Sequence, residues 1–154
     1  MNSTPALEDP RLLATVHTVH RHGPVDTLEQ AADLRGVEPS AIVKTIVVRR
    51  TEDDYVFVLV PGDKVIDWPK LREHLGERRL SMPDPDEALA ATGYVRGTIT
   101  PFGSTNPWPV TADEALAGTL VSIGGGAPGV SLTMNGDDVI GALSAAVADV
   151  TKLR

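Results

Sequence analysis

Lys44 sits in the middle of AIVKTIVVRR, residues 41–50, a run that otherwise has the composition of a buried β-strand. A strand alternates its faces with period two, so Ile42, Lys44, Ile46 and Val48 share one side and Val43, Thr45 and Val47 the other. The lysine is thus placed on an apolar face, where desolvation penalises an ammonium that has neither a partner nor a task. The plain alternative is an edge strand whose lysine reaches water along its flexible stem and blocks edge pairing. A second candidate is GGGAPG, residues 124–129. It matches the spacing of a dinucleotide fingerprint, but it leads into the β pattern VSLTM rather than a helix, so that reading fails. A glycine-rich turn instead exposes backbone N–H groups able to cradle an anion or oxyanion, or simply closes a hairpin. A third is HTVHRH, with His17, His20 and His22. On a strand only His20 and His22 would share a face, and no carboxylate cluster at a diagnostic spacing accompanies them, so no metal site is expected. The serines lack the nucleophile elbow G-x-S-x-G. With no cysteine in the chain, thiol nucleophiles, zinc–thiolate sites and disulfides are excluded.

The whole chain bounds what these residues can do. Its 154 residues, 42% of them hydrophobic, suit one globular domain spanning 1–154. There is no apolar run near the length of a membrane span and no basic-then-apolar start, so a cytoplasmic protein without membrane association is expected. The formal net charge of −7 argues against gripping long duplex DNA or RNA through counterion release. It leaves room for a local contact with the end of a nucleic acid, where one cation and backbone amides supply the attraction.

The elements that must position the candidates are marked by caps and turns. In DTLEQAADLRGV, Thr27 is an N-cap, Gln30 completes a capping box and Gly36 is the C-terminal stop. Strands follow at AIVKTIVVRR and YVFVLVPG, with the acidic TEDD as the hairpin turn between them. A second helix opens at Asp67 and stops at Gly76, and a third has Asp84 as N-cap, Pro85 at its first position and Gly93 as stop. RGTITPFGSTNPWP is too rich in Gly and Pro for a long element, strands are expected near GTLVSI and VSLTM, and a final helix is expected from about Asp137 to Val150. Successive strand pairs indicate an α+β (mixed α/β) domain with a curved, mixed but mostly antiparallel sheet, not a doubly wound parallel one.

Taken together, HGPVDTLEQAADLRGVEPSAIVKTIVVRR, GYVRGTITPFG and LVSIGGGAPGVSL resemble, in order and over about residues 20–145, the YbaK/ProX (EbsC-like) group of aminoacyl-tRNA editing deacylases. The same domain occurs inserted in some bacterial prolyl-tRNA synthetases. The resemblance implies a sheet of about six or seven strands with flanking helices, and hydrolysis of the ester between a wrong amino acid and its tRNA. It puts Lys44 on the family's functional lysine, Gly97–Pro101 on its Gly-x-x-x-Pro loop, and Gly124, Gly125 and Gly126 on its glycine turn. The expected catalytic residues are therefore Lys44, Gly97 and Thr98, the last two through their amides. His22, Thr45, Thr100, Pro101 and the three glycines are expected to bind substrate. No cofactor or metal is called for. The expected partners are the acceptor 3′ end of a mischarged tRNA and a synthetase.

Such chemistry suits these residue types. An aminoacyl ester is already activated, so positioning, an oxyanion hole and one water suffice. Family members acting on cysteinyl-tRNA carry a serine and a basic pair in the turn where this chain has Gly124, Ala127 and Pro128. Cysteine, alanine or another small amino acid therefore stays open as the edited residue. A non-catalytic module of the same fold, binding a CCA end, a nucleotide-like ligand or a synthetase, is the alternative.

Overall fold

A computed structural model describes residues 3–154. After a 3-10 turn and α1 (Pro10–Leu13) the chain runs through β1 (Thr18–Arg21), α2 (Leu28–Arg35), β2 (Ile42–Thr51), β3 (Asp54–Pro61), β4 (Lys64–Ile66), α3 (Trp68–Leu75) and α4 (Pro85–Thr92). It continues through β5 (Val110–Asp113), β6 (Leu120–Gly124), β7 (Val130–Asn135), α5 (Gly136–Ala142), β8 (Ala146–Ala148) and β9 (Thr151–Leu153). Seven strands form one mixed sheet in the order β1-β7-β6-β2-β3-β5-β8, and β4 pairs with β9 apart from it.

The predicted helices form because their ends are satisfied locally. Thr27 accepts from the Gln30 N–H at 3.1 Å while the Gln30 side chain reaches back to the Asp26 N–H at 2.8 Å. Asp67 and Asp84 cap α3 and α4 in the same way, at 3.2 and 2.8 Å. Gly36, Gly76 and Gly93 close the three helices in the left-handed conformation.

β2 and β3 form the central hairpin, registered from Val43↔Pro61 to Thr51↔Asp54. The turn between them is Glu52–Asp53, within the expected TEDD, and Asp53 takes φ 58°. These two strands are covered on both sides. Val43 and Val47 pack with Phe57, Leu59, Ile123, Leu132 and Phe102 in the larger core, while Val48, Val56, Val58, Val60, Ile66 and Leu71 form a second one. Burial on both faces is why β3 reads as an unbroken apolar run. The parallel pairings β6–β2, β3–β5 and β5–β8 are only two or three residue pairs long, so antiparallel ladders make up most of the sheet.

One expectation fails. The last helix does not run to Val150: α5 ends at Ala142, and Ser144 then takes φ 50°. The following AVADVTKL forms strands instead. β8 extends the sheet beside β5, and β9 pairs antiparallel with β4 from Lys64↔Leu153 to Ile66↔Thr151. The Asp113 carboxylate, 1% exposed, holds this segment by accepting from the Val150 N–H at 3.3 Å and the Thr151 hydroxyl at 2.8 Å. Those partners are distant in sequence, and with several ladder bonds to gain the segment abandons its local helical preference.

Among the described residues no helix is long and apolar enough to cross a membrane.

Candidate functional site

The site forms where two parallel strands part. β6 pairs with β2 only at Ile42↔Ser122 and Val43↔Ile123, and then turns at residues 125–129 into β7. From Lys44 β2 has no ladder partner on that side until Arg49 bridges to Ser81. The gap is a cleft of about 690 Å³ lined by β2 from Ile42 to Val47, by Met82–Pro85 and Ala88 at the start of α4, by Arg96–Ile99, by Gly124–Val130, and by Arg35.

Seven of the expected site residues meet here: Lys44, Thr45, Gly97, Thr98, Gly124, Gly125 and Gly126. Three stand outside the lining. Thr100 is fully buried and its hydroxyl accepts from the Phe102 N–H, while the Pro101 carbonyl accepts from Arg11 at 3.2 Å. His22 lies behind the glycine turn, donating its backbone N–H to the Gly129 carbonyl at 2.9 Å. The chains are so close there that a Cβ on residue 129 would collide with the His22 carbonyl.

Lys44 is in phase with Ile46 and Val48 on the face of the second core, as its spacing requires. Its Nζ donates to the carbonyl of Lys64. Burial lowers its pKa from the ordinary 10.5, repulsion from Arg154 lowers it further, and Asp63 acts against both. On the opposite face, the Thr45 hydroxyl is buried at the cleft and has no hydrogen-bond partner.

The two loops differ in which amides they leave free. Gly97 has φ +92°, a conformation that favours glycine. Next to it, both the N–H and the hydroxyl of Thr98 bond to the Val95 carbonyl, at 3.0 and 2.8 Å. The Thr98 amide therefore closes the turn, and the Gly97 amide has no partner among the described residues. In the glycine turn Gly125 N–H bonds to the Val130 carbonyl at 2.8 Å, whereas the N–H groups of Gly126 and Ala127 have no partner among the described residues. Free amides on both walls suit an anion or a developing oxyanion.

Both loops are braced by residues 4–11, whose part was not signalled by any motif. The Thr4 hydroxyl donates to the Gly125 carbonyl at 2.6 Å. Asp9 accepts from the Gly103 N–H at 2.8 Å and from Arg11, which also reaches Pro101. Burial pushes the Asp9 carboxyl up, but the Arg11 guanidinium and the N–H groups of Gly103 and Arg11 outweigh it and hold the pKa below 3.8.

Arg35 is the other residue that the sequence did not single out. As the last residue of a capped helix it reads there as a partner for the helix dipole. Its Nε lies 3.5 Å from His22 Nε2 and its Nη1 3.4 Å from the Ser122 hydroxyl. His22 Nδ1 lies 2.8 Å from the Gly23 carbonyl, which can only accept, so in the neutral ring Nδ1 carries the hydrogen and Nε2 accepts.

Among the described residues no group of three His, Asp or Glu side chains is arranged to hold a metal ion.

The profile of the aminoacyl-tRNA editing domain matches residues 22–142, which include every element lining the cleft. The chain is 35% identical over 109 residues to the proline–tRNA ligase of Thermosipho melanesiensis, covering 71% of this chain but only 18% of that enzyme. It is 26% identical over 124 residues to a candidate Cys-tRNA(Pro)/Cys-tRNA(Cys) deacylase, EbsC, of Enterococcus faecalis, covering 80% of this chain and 76% of that protein. Among solved structures, a candidate trans-editing enzyme for prolyl-tRNA synthetase superposes with a TM-score of 0.84 at 25% identity, covering 99% of both chains.

Proposed function

The chain belongs to the aminoacyl-tRNA editing domain family, and from that premise we propose that it is a trans-acting, cytoplasmic hydrolase that deacylates mischarged tRNA, Cys-tRNA(Pro) or Ala-tRNA(Pro) in particular. The observation that carries this reading is the convergence of three segments far apart in sequence, at Lys44–Thr45, Gly97 and Gly124–Ala127, on one cleft with unpaired amides on two of its walls.

In the proposed reaction a water attacks the ester carbonyl carbon, and negative charge gathers on the carbonyl oxygen. The Gly97 N–H, with Gly126 and Ala127 across the cleft, would receive that charge. The C–O bond to the ribose then breaks, the water's proton passes to the leaving ribose oxygen with help from the vicinal hydroxyl, and free amino acid and tRNA are released. The Thr45 hydroxyl, buried without a partner in a residue that lines the cleft, would need a small local shift to meet a polar group of the substrate. Lys44 would act by exchanging the Lys64 carbonyl for a polar group of the substrate, and its lowered pKa makes it a better acid than an exposed lysine.

Engagement of the Lys44 ammonium by the Lys64 carbonyl is also what favours the second reading, a module of this fold that binds an acceptor end or a synthetase without turnover. One experiment separates the two. Purified protein is incubated with tRNA(Pro) carrying labelled cysteine, alanine or proline, and loss of acid-precipitable label is followed. Faster loss from one mischarged form than from Pro-tRNA(Pro) supports editing. Rates equal to the spontaneous ones with all three support the binding module.

A further inference from the structure

Arg35 is a cation on the cleft wall for which the fold provides no acid. Among the described residues Arg11, Arg49, Arg50 and Lys70 each pair with a carboxylate, and Arg35 pairs with none. Its neighbours carry no negative charge: they are His22 Nε2 and the fully buried Ser122 hydroxyl, both at the long end of hydrogen bonding. Burial lowers its pKa with no compensating charge. A half-buried guanidinium with most of its five donors unused is an unfavourable arrangement for stability alone, and a suitable one for a planar or tetrahedral anion. The residue is held firmly: α2 packs Ala31 and Ala32 onto Ile42, and its C-terminal carbonyls favour the positive charge. The free amides of Gly126 and Ala127 line the same cleft.

We propose that Arg35 is the phosphate anchor of the cleft, binding the phosphate on the 5′ side of the nucleoside that carries the aminoacyl ester. The inference rests on the deacylase reading and follows from the charges of such a substrate. Its carboxyl is esterified and its α-amino group is cationic, so the nearest anion is that phosphate. Lys44 is poorly placed for this role, because the nearby Asp63 carboxylate already offsets its charge and would repel a phosphate.

The test compares kcat/KM for 3′-aminoacyl adenosine with and without a 5′-phosphate, using wild type, Arg35→Gln and Arg35→Lys. Wild type is expected to favour the phosphorylated compound at least about tenfold, Arg35→Gln to bring the ratio within about twofold of one, and Arg35→Lys to fall between. A wild-type ratio near one overturns the proposal, as does an unchanged ratio in Arg35→Gln. So does an equal loss on both compounds, which would assign Arg35 to the aminoacyl part or to the shape of the cleft. If wild type hydrolyses neither compound, the deacylase reading is decided by the assay on mischarged tRNA, and the anchor by binding. Titrations with adenosine 5′-monophosphate, adenosine and inorganic phosphate should show the monophosphate at least about tenfold tighter than adenosine in wild type but not in Arg35→Gln. Equal affinity for monophosphate and adenosine overturns the anchor. Inorganic phosphate binding as tightly as the monophosphate would do so too, since the site would then hold free phosphate rather than a nucleotide end.

Discussion

Lys44 shows how a residue can be unfavourable for the fold and still be retained. Its pKa is lowered mainly by desolvation, so the folded protein binds fewer protons at this group than the unfolded chain does. The charged form is therefore a penalty below the lowered value, and the penalty is relieved as pH rises towards 10.5. Lys44→Met and Lys44→Ala are expected to reduce deacylation at least about a hundredfold. Lys44→Met should keep Tm within about 4 °C of wild type, the equivalent of roughly 1 kcal/mol for the lost bond to Lys64, and should flatten the rise of Tm as pH approaches 10.5. Thermal melts from pH 7 to 10.5 beside the deacylation assay check both. A large fall in Tm with activity retained would make this lysine structural. Gly97 poses a different question, because a Cβ there meets no other atom within 4 Å. Gly97→Val would be disfavoured by the φ of +92° by about 1–2 kcal/mol, while its side chain would occupy open space beside the free amide of a residue that lines the cleft. The expected result is a Tm lower by a few degrees and turnover lower by about ten- to a hundredfold, read from melts and initial rates on one preparation.

At the level of elements, the cleft depends on a brace that does not itself line it. Asp9 ties α1 to the loop ending at Gly103, Arg11 ties it to Pro101, and Thr4 ties the same segment to Gly125. The folded pKa of Asp9 is held below 3.8, so its contribution is present above that value and is lost as pH falls through the folded one. Asp9→Asn removes the charge from a pocket that is only 7% exposed. We expect it to cost about 1–3 kcal/mol at pH 7 and to flatten the loss of stability below about pH 4, measured as urea midpoints at pH 7 and pH 3. An acid limb identical to wild type would show that the pairing with Arg11 carries no net stability.

For the whole molecule, the net charge of −7 decides how a nucleic acid can be held. An acidic surface cannot gain much from releasing counterions along a duplex, so binding confined to the acceptor end should weaken only shallowly with salt. The expected log–log slope has a magnitude of roughly 1 to 3. A short CCA-ended acceptor mimic bearing the ester should still be hydrolysed, though with less discrimination among tRNAs. Initial rates on the mimic and on whole mischarged tRNA at several salt concentrations check this. A steep slope on whole tRNA with no turnover of the mimic would mean that recognition extends into the tRNA body.

Features settled within a few residues were legible in the sequence. Thr27 with Gln30, Asp67 and Asp84 cap helices through bonds to amides three positions on, and the glycines that end those helices need no distant partner. The period of two put Lys44 on an apolar face, and that holds because it is a property of any strand. What the sequence could not contain was the company that residues keep across the fold. The stretch after Ala142 has a helical composition and becomes strand because β4, β5 and the buried Asp113 offer it bonds from far away in the chain. The Thr98 amide reads as a free donor until the turn to Val95 is seen to consume it, and Arg35 reads as an ordinary helix terminus until no acid is found near it. Both outcomes depend on distances between segments, and only the packed chain fixes those.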